Sequence, residues 1–221
     1  MFRDRAEAGQ RLVEKLKSYS DRKDAVVLGL PRGGVPVAFE IVQELHLPLD
    51  ILLVRKLGVP GQAELAMGAI AAGGIRILDR TMIRQLGITE EELTSAIAEE
   101  EDELRRREQI YKGTRSSLAI RNLQVIVVDD GIATGASMLA AIEVLRSQQP
   151  ARIIVAVPVA PPHARREIEA VAHELVCLQV SEYFPAVGSF YRDFSQVDDD
   201  EVCRLLAYAA QSFAKRGADQ S

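Results

Sequence analysis

Short, uninterrupted apolar runs separated by helical patterns are the feature that most limits what this chain can fold into. The runs cover 25–30, 51–54, 125–128 and 153–157, and 174–179 is a further predicted strand. Runs of this length are typical of strands that are buried on both faces of a sheet. Helical spacing of apolar residues is found between them, at about 36–45, 136–148 and 161–172. Strands that alternate with helices predict a doubly wound α/β fold, with a mainly parallel sheet flanked by helices.

The remaining segments fit around that sheet as one predicted domain, 1–221, with its core at about 24–196. Residues 3–19 and 198–215 are expected to be helices, and 67–78 a hairpin that turns at Gly73-Gly74. Glycine and proline predict a loop over 55–62. Residues 80–112 are a predicted helical insertion, in which Thr89 and Glu92 form a capping box. Its apolar stripe is Leu93, Ile97, Leu104 and Tyr111.

Four loops should meet at one edge of this sheet, because ligands in such folds bind beyond the carboxyl ends of the strands. They are 31–34, 55–64, 129–137 and 181–196. The most informative is 125–137, where a β-branched run ends in Asp129-Asp130-Gly131 and continues to Thr134-Gly135-Ala136-Ser137 before a helix. Small residues let backbone amides approach a phosphate, and the helix N-terminus attracts it. The two carboxylates, expected at a solvated strand end, can accept hydrogen bonds from sugar hydroxyls or attract hydrated Mg²⁺.

A lone Asp-Asp-Gly would be an ordinary turn, but the full segment predicts a ribose 5-phosphate site. Competing motifs are absent from the sequence: there is no Gly-x-x-x-x-Gly-Lys-Ser/Thr, no Gly-x-Gly-x-x-Gly after a strand and no Gly-x-Ser-x-Gly. The two cysteines, Cys177 and Cys203, lack metal-ligand spacing, and we expect buried free thiols in a reducing compartment. His46, His163 and His173 are scattered along the chain.

Charge and hydropathy exclude several classes of partner. The formal net charge is −5, so no basic field indicates nucleic-acid binding. No apolar run reaches membrane-spanning length, and the first residues lack the apolar stretch of a secretion signal. A cytoplasmic protein without a membrane role is the expectation.

Residues 125–137 resemble the diphosphoribosyl-binding signature of type I phosphoribosyltransferases, and other loops have counterparts in the same order. Pro31-Arg32-Gly33-Gly34 lies where that family has its diphosphate loop, which usually carries a non-proline cis peptide bond. The segment from Arg55-Lys56 to Leu65 lies where the family has a mobile loop. The chain particularly resembles a branch with Arg-Lys-Leu-Gly-x-Pro, here 55–60, and Phe-x-Ala-Val-Gly-x-Phe-Tyr-x-Asp-Phe, here 184–194.

The resemblance implies transfer of a phosphoribosyl group from 5-phosphoribosyl 1-diphosphate to a nitrogenous base or amine, with Mg²⁺ and release of diphosphate. It assigns the 5-phosphate to Ala133, Thr134, Gly135, Ala136 and Ser137 after Gly131. It assigns the ribose hydroxyls and the water shell of the metal to Asp129 and Asp130. The diphosphate falls to Arg32, Gly33 and Gly34, and Arg55 and Lys56 are candidates to clamp it.

The acceptor is not identified by these residues. Several purine-specific members have an acidic residue where this chain has Ala133, and Glu64 is a candidate substitute. Five of the eleven Phe and Tyr residues lie in 181–196. They could stack on the acceptor, with Tyr183 and Phe184 favoured, or pack the loop onto the core, or meet a partner subunit. The 80–112 helices could form a hood over the acceptor or a contact in a homodimer.

Two other functions stay open: a non-catalytic sensor of phosphoribosyl diphosphate or nucleotides, and a pocket reused for another sugar phosphate.

Overall fold

The computed structural model describes residues 1–112 and 118–219, and at 63, 64, 112 and 217–219 it describes the backbone alone. The elements in chain order are α1 Arg5–Leu16, β1 Ala25–Gly29, α2 Gly34–Leu45, β2 Leu49–Ile51, β3 Val54–Val59, β4 Gln62–Ala71, β5 Ile75–Leu78, α3 Arg80–Gln85, α4 Glu90–Lys112, β6 Gln124–Val128, α5 Ala136–Ser147, β7 Arg152–Ala160, α6 Pro162–Val171, β8 Glu174–Val180 and α7 Asp199–Asp219. Single 3₁₀ turns cover Lys17–Tyr19 and Val187–Phe190. No helix within these described ranges is long and apolar enough to cross a membrane.

The main sheet has five strands in the order β2-β1-β6-β7-β8, and every pairing in it is parallel. Alternate strand residues face opposite helical layers. Val125 and Val127 pack with α5 and α6 in one core, whereas Ile126 and Val128 pack with α1 and α2 in the other. This confirms the predicted doubly wound α/β fold, because strands buried on both faces leave no polar side for solvent.

The chain order reverses between β1 and β6, which places the crevice for a ligand there. β2 follows β1 on one side, whereas β6 and the later strands lie on the other. Gly29 pairs with Val128, so β1 and β6 end side by side. Loops that leave neighbouring strands in opposite directions open a crevice at this switch point. The loops 31–34 and 129–137 therefore flank the same opening.

The predicted loop over 55–62 is wrong, because these residues belong to an antiparallel hairpin. β3 and β4 pair from Val54 with Ala71 to Val59 with Gln62, and Pro60-Gly61 makes the turn, with φ of +75° at Gly61. Proline and glycine at the centre of a two-residue turn give the same signal as a longer loop. Arg55 and Lys56 therefore lie on a strand. The second hairpin, with Gly73 and Gly74 at φ of +81° and +77°, is confirmed.

The predicted helical insertion is confirmed as α3 and α4, and it packs beside this hairpin sheet. The capping box is present, since the Thr89 amide donates to Glu92 at 2.9 Å and the Glu92 amide donates to Thr89 Oγ1 at 3.2 Å. Leu93 and Ile97 pack against residues of β3 and β4. Leu104 and Tyr111, farther along the same stripe, pack with α7 instead. The long α4 helix thus contacts the hairpin sheet near its N-terminus and α7 near its C-terminus.

Candidate functional site

The loop after β1 lies directly on the acidic end of β6, and its glycines make this approach feasible. A Cβ atom at Gly33 would be 1.9 Å from Asp130 Oδ2, and one at Gly34 would be 2.5 Å from the Val128 carbonyl oxygen. Neither distance leaves room for a side chain. The Pro31–Arg32 peptide bond is cis, as the family resemblance implied. The diphosphate loop expected from the sequence is therefore packed against Asp129-Asp130 rather than merely near it.

The loop after β6 has the open, small-residue geometry expected of an anion site. Gly135 has φ of +84°, a region that favours glycine, and it precedes the first residue of α5. Ala133, Thr134 and Ser137 are exposed, and Thr134 Oγ1 accepts from the Ala136 amide at 3.4 Å. At Gly131, a Cβ atom would be 2.5 Å from the Val187 side chain, so this glycine admits the late loop. Exposed hydroxyls and amides at the positive end of a helix form a binding site for a phosphate.

The two carboxylates lie in different surroundings, and both are half-buried at the strand end rather than fully solvated as expected. Burial raises the pKa of Asp129 well above its usual range, and the charge of Asp130 raises it further. Asp129 Oδ1 accepts a hydrogen bond from the Asp130 amide at 2.8 Å, and the residue lines the cavity described below. Burial also raises the pKa of Asp130, but the nearby Arg5 opposes this shift.

Arg5 is the site residue that the sequence did not reveal. Its Nε donates to Asp130 Oδ2 at 2.8 Å, and its Nη1 donates to the Ser195 carbonyl oxygen at 2.8 Å. Its guanidinium lies 3.9 Å from the centroid of the Phe194 ring. A basic residue at the start of a helix carries no signal of a contact 125 residues away. The only hint was the concentration of aromatic residues in the late loop.

A cavity of about 770 Å³ opens beside this edge and brings several predicted residues together. Pro31, Asp129 and Ser137 line it from the core, and Arg55 and Lys56 line it from β3. Its other side is α4, which contributes Glu92, Ser95, Glu99 and Glu100 among others. Arg55 Nε donates to Glu100 Oε2 at 2.5 Å, so an ion pair joins the strand to the helix. Of the two roles left open for 80–112, this position supports the hood.

Other predicted residues lie away from the cavity lining. Arg32 Nη1 is 3.8 Å from Asp199 Oδ1 at the start of α7. Tyr183 is 81% exposed, and the Phe184 ring packs on Phe190 with centroids 4.9 Å apart. Phe190 and Tyr191 are thus buried against the core and Phe184 packs beside them, while stacking of Tyr183 or Phe184 on an acceptor stays a prediction. The side chain of Glu64 lies outside the described residues.

The cysteines and the acidic side chains that the structure describes do not form a ready-made metal site. Cys177 and Cys203 are thiols, and both are half-buried rather than fully buried as expected. Among the residues that the structure describes, no group of three or more His, Cys, Asp or Glu could hold a metal ion. Mg²⁺ commonly binds through only one or two carboxylates together with substrate phosphates and water. The Asp129 carboxylate at the cavity suits that mode of binding.

Comparison with known proteins identifies the family. The model of the phosphoribosyl transferase domain matches residues 3–194. The chain belongs to this family. The matched region includes α1, and hence Arg5, as well as both loops at the switch point.

Individual relatives agree with this assignment. The protein TT1426 of Thermus thermophilus is 44% identical in sequence, with a TM-score of 0.86 over 93% of this chain and 97% of that one. A hypoxanthine-guanine phosphoribosyltransferase of Bacillus anthracis is 13% identical, with a TM-score of 0.50 over 88% of this chain and 93% of that one, and it shares the type I fold.

A curated relative extends beyond the region that it shares with this chain. The phosphoribosyl transferase candidate Rv0571c of Mycobacterium tuberculosis is 42% identical over 99% of this chain. The match covers 49% of that relative, so the chain spans about half its length.

Proposed function

We propose that this protein transfers a phosphoribosyl group from 5-phosphoribosyl 1-diphosphate to a nitrogenous base or amine and releases diphosphate. The observation that carries the proposal is the meeting of three features at one opening. They are the phosphate-binding geometry at the N-terminus of α5, the Asp129 carboxylate, and a cavity roofed by α4. A sugar phosphate fits the first two, and the cavity of about 770 Å³ leaves space for an acceptor beside the sugar.

In this proposal, different residues of the site bind different parts of the donor. Exposed Thr134 and Ser137, with the amides of the α5 N-terminus, bind the 5-phosphate. Asp129 accepts hydrogen bonds from the ribose hydroxyls. The loop with Gly33 and Gly34 binds the diphosphate, and these glycines let the loop pack directly against the end of β6, next to Asp129.

Charge stabilisation of the leaving group is the main chemical task of the site. Bond cleavage at the anomeric carbon leaves negative charge on the diphosphate, and preorganised cations favour that transition state. Arg55 and Lys56 line the cavity from β3. Arg32 lies 3.8 Å from Asp199, so it would have to leave that carboxylate to reach the diphosphate. Arg55 is paired with Glu100, so its move to the diphosphate exchanges one anionic partner for another. Mg²⁺, if held by Asp129 and the donor, supplies further neutralisation of the diphosphate.

The experiment is calorimetric titration with phosphoribosyl diphosphate, with and without Mg²⁺, followed by assay of diphosphate release with a panel of bases and amines. We expect Mg²⁺-dependent binding at about one site per chain and release that depends on one class of acceptor. Asp129→Asn should abolish binding. Asp21→Asn is the matched control, because Asp21 precedes β1 at the opposite edge of the sheet and its side chain is 63% exposed.

The outcomes separate this proposal from the alternatives. Absence of binding by folded protein would contradict the assignment of the donor. Binding without turnover by any acceptor would instead favour a sensor of phosphoribosyl diphosphate. Release of ribose 5-phosphate without an acceptor would favour hydrolysis.

A further inference from the structure

The N-terminal segment and the late aromatic loop converge on one carboxylate of the site. The Phe2 amide donates to the Phe190 carbonyl oxygen at 2.7 Å, and the Arg192 amide donates back to the Phe2 carbonyl oxygen at 2.8 Å. Next to this bridge, the Tyr191 hydroxyl donates to the Asp130 carbonyl oxygen at 2.6 Å. These hydrogen bonds join the N-terminal segment to the late aromatic loop, and that loop to the end of β6.

Arg5 completes this arrangement at the Asp130 side chain. The Arg5 and Asp130 side chains are only 12% and 13% exposed, so their ion pair is largely shielded from water. The guanidinium uses its Nε for Asp130, its Nη1 for the Ser195 carbonyl oxygen and its planar face for the Phe194 ring. A lysine could not satisfy all three contacts at once, because its ammonium group is a compact charge without a planar face.

The position in which Arg5 holds Asp130 matters for the opposite loop. Asp130 Oδ2, the atom that accepts from Arg5, is also the atom that a Cβ at Gly33 would meet at 1.9 Å. Asp130 thus fills the space beside the diphosphate loop. Asp129, by contrast, lines the cavity. Adjacent carboxylates that looked equivalent in the sequence therefore have different neighbours.

We propose that Arg5 is a positioning residue for the sugar-phosphate site, which holds the Asp130 carboxylate against Gly33 and leaves Asp129 as the carboxylate that contacts the ligand. Arg5 acts through Asp130 and the loop 31–34, and it makes no contact with the donor. The inference rests on the proposed function, because the donor is the ligand whose binding would report the effect.

The test is a double-mutant cycle on the binding of phosphoribosyl diphosphate with Mg²⁺, measured by calorimetry. The variants are Arg5→Gln, Asp130→Asn and the combination of both, at a temperature where thermal unfolding shows that each is folded. Loss of an outer-shell group that orients a metal ligand typically costs about 10–100-fold in affinity, and we take the same range for Arg5, which orients Asp130 beside the diphosphate loop. We expect a loss of this size for each single variant and no further loss in the double variant. Arg5→Lys should recover part of the affinity, because it restores the charge.

Two further variants serve as references. Arg11→Gln changes another arginine of α1, which is 53% exposed and pairs with Glu7, and it should leave binding unchanged. Asp129→Asn should weaken binding more than any variant of the Arg5–Asp130 pair.

The results that would overturn the inference differ from those that would overturn the proposed function. Wild-type affinity in Arg5→Gln, or additive losses in the double variant, would remove the positioning role. Tighter binding in Arg5→Gln would show that the Arg5–Asp130 pair hinders ligand binding instead of organising the site for it. Failure of the wild-type protein itself to bind would contradict the proposed function.

Discussion

Replacing Asp129 with asparagine should make the ligand-free protein more stable even though it removes ligand binding. The carboxylate is half-buried beside the like charge of Asp130, and its loss of solvation and that neighbouring charge both raise its pKa. Asparagine has nearly the same shape and removes the charge. Its side-chain oxygen can still accept the hydrogen bond that the Asp130 amide donates to Asp129 Oδ1 at 2.8 Å.

The expected gain in the free energy of unfolding is of the order of 1 kcal/mol at neutral pH. Single stabilising substitutions commonly add about 0.5–2 kcal/mol to the free energy of unfolding, and the direction expected here follows from the raised pKa of Asp129. For a chain of this size, 1 kcal/mol raises the unfolding midpoint by roughly 2–4 °C. Differential scanning calorimetry of metal-free and ligand-free protein is sensitive enough to measure this shift.

The gain should depend on pH in a defined direction. A carboxyl group whose pKa is raised in the folded state contributes stability below its unfolded pKa of about 3.9 and loses it as the pH rises through the folded value. Asparagine does not titrate, so the stability of the variant does not fall as the pH rises through the folded-state pKa of Asp129. The difference in midpoint between variant and wild type should therefore be small near pH 4 and increase towards pH 8.

Asp130→Asn is the control, because it shows whether the gain is specific to Asp129 or follows from removing either of the two negative charges. It relieves the same repulsion, but it deprives Arg5 of the carboxylate that lies 2.8 Å away. Hydrogen bonds to charged groups contribute about 1.5–3 kcal/mol. Asp130→Asn should therefore be less stable than Asp129→Asn by about that amount. A lower midpoint for Asp129→Asn than for wild type at pH 7, or equal midpoints for the two variants, would refute the argument.

Three other changes have definite expected outcomes. Gly33→Ala should weaken donor binding in calorimetry at least tenfold, since its Cβ would be 1.9 Å from Asp130 Oδ2, and wild-type affinity would contradict the close packing of this loop. Thr89→Ala removes the side-chain half of the capping box with Glu92 and should lower the free energy of unfolding in urea by about 1 kcal/mol, with donor affinity unchanged. Gly74→Ala places a Cβ at φ of +77° with no atom within 4 Å, so chemical denaturation should show a loss of about 1 kcal/mol that reflects backbone strain alone. A loss of donor affinity in either of the last two variants would indicate that the hairpin sheet and hood are coupled to the site.

The main sheet could be predicted from the sequence because its strands carry their own signal. A strand buried on both faces is apolar along its buried length. β1 shows this throughout, and β6 and β7 show it after their first residues, Gln124 and Arg152. The loop 129–137 was predicted for a similar reason. Two acidic residues at the end of such a strand, followed by small residues and a helix, are a local pattern that requires no knowledge of distant contacts.

The hairpin strand β3 was missed because its signals are mixed. Leu57 and Val59 are buried, but Gly58 lies between them at a register shift, and Arg55 and Lys56 precede them. Glycine and charged residues are depleted in strands, so local propensity opposed the structure that tertiary pairing imposes. A lysine and an arginine are accommodated there because this strand lines a cavity and not a solid core.

The role of Arg5 could not be found by any local pattern, and its contact with Asp130 explains how two half-buried carboxylates can lie side by side. The sequence predicted Asp129 and Asp130 at a solvated strand end, where two adjacent charges repel each other only weakly. In the folded protein, α1 brings a cation to Asp130, and the raised pKa of Asp129 shows that its charged form is left unfavourable. A cationic ligand, or a metal ion held by a diphosphate, would stabilise the negative charge of Asp129. The destabilising charge thus lies at the position where the proposed donor and its metal ion would bind, as expected when a site is organised for a ligand rather than for stability.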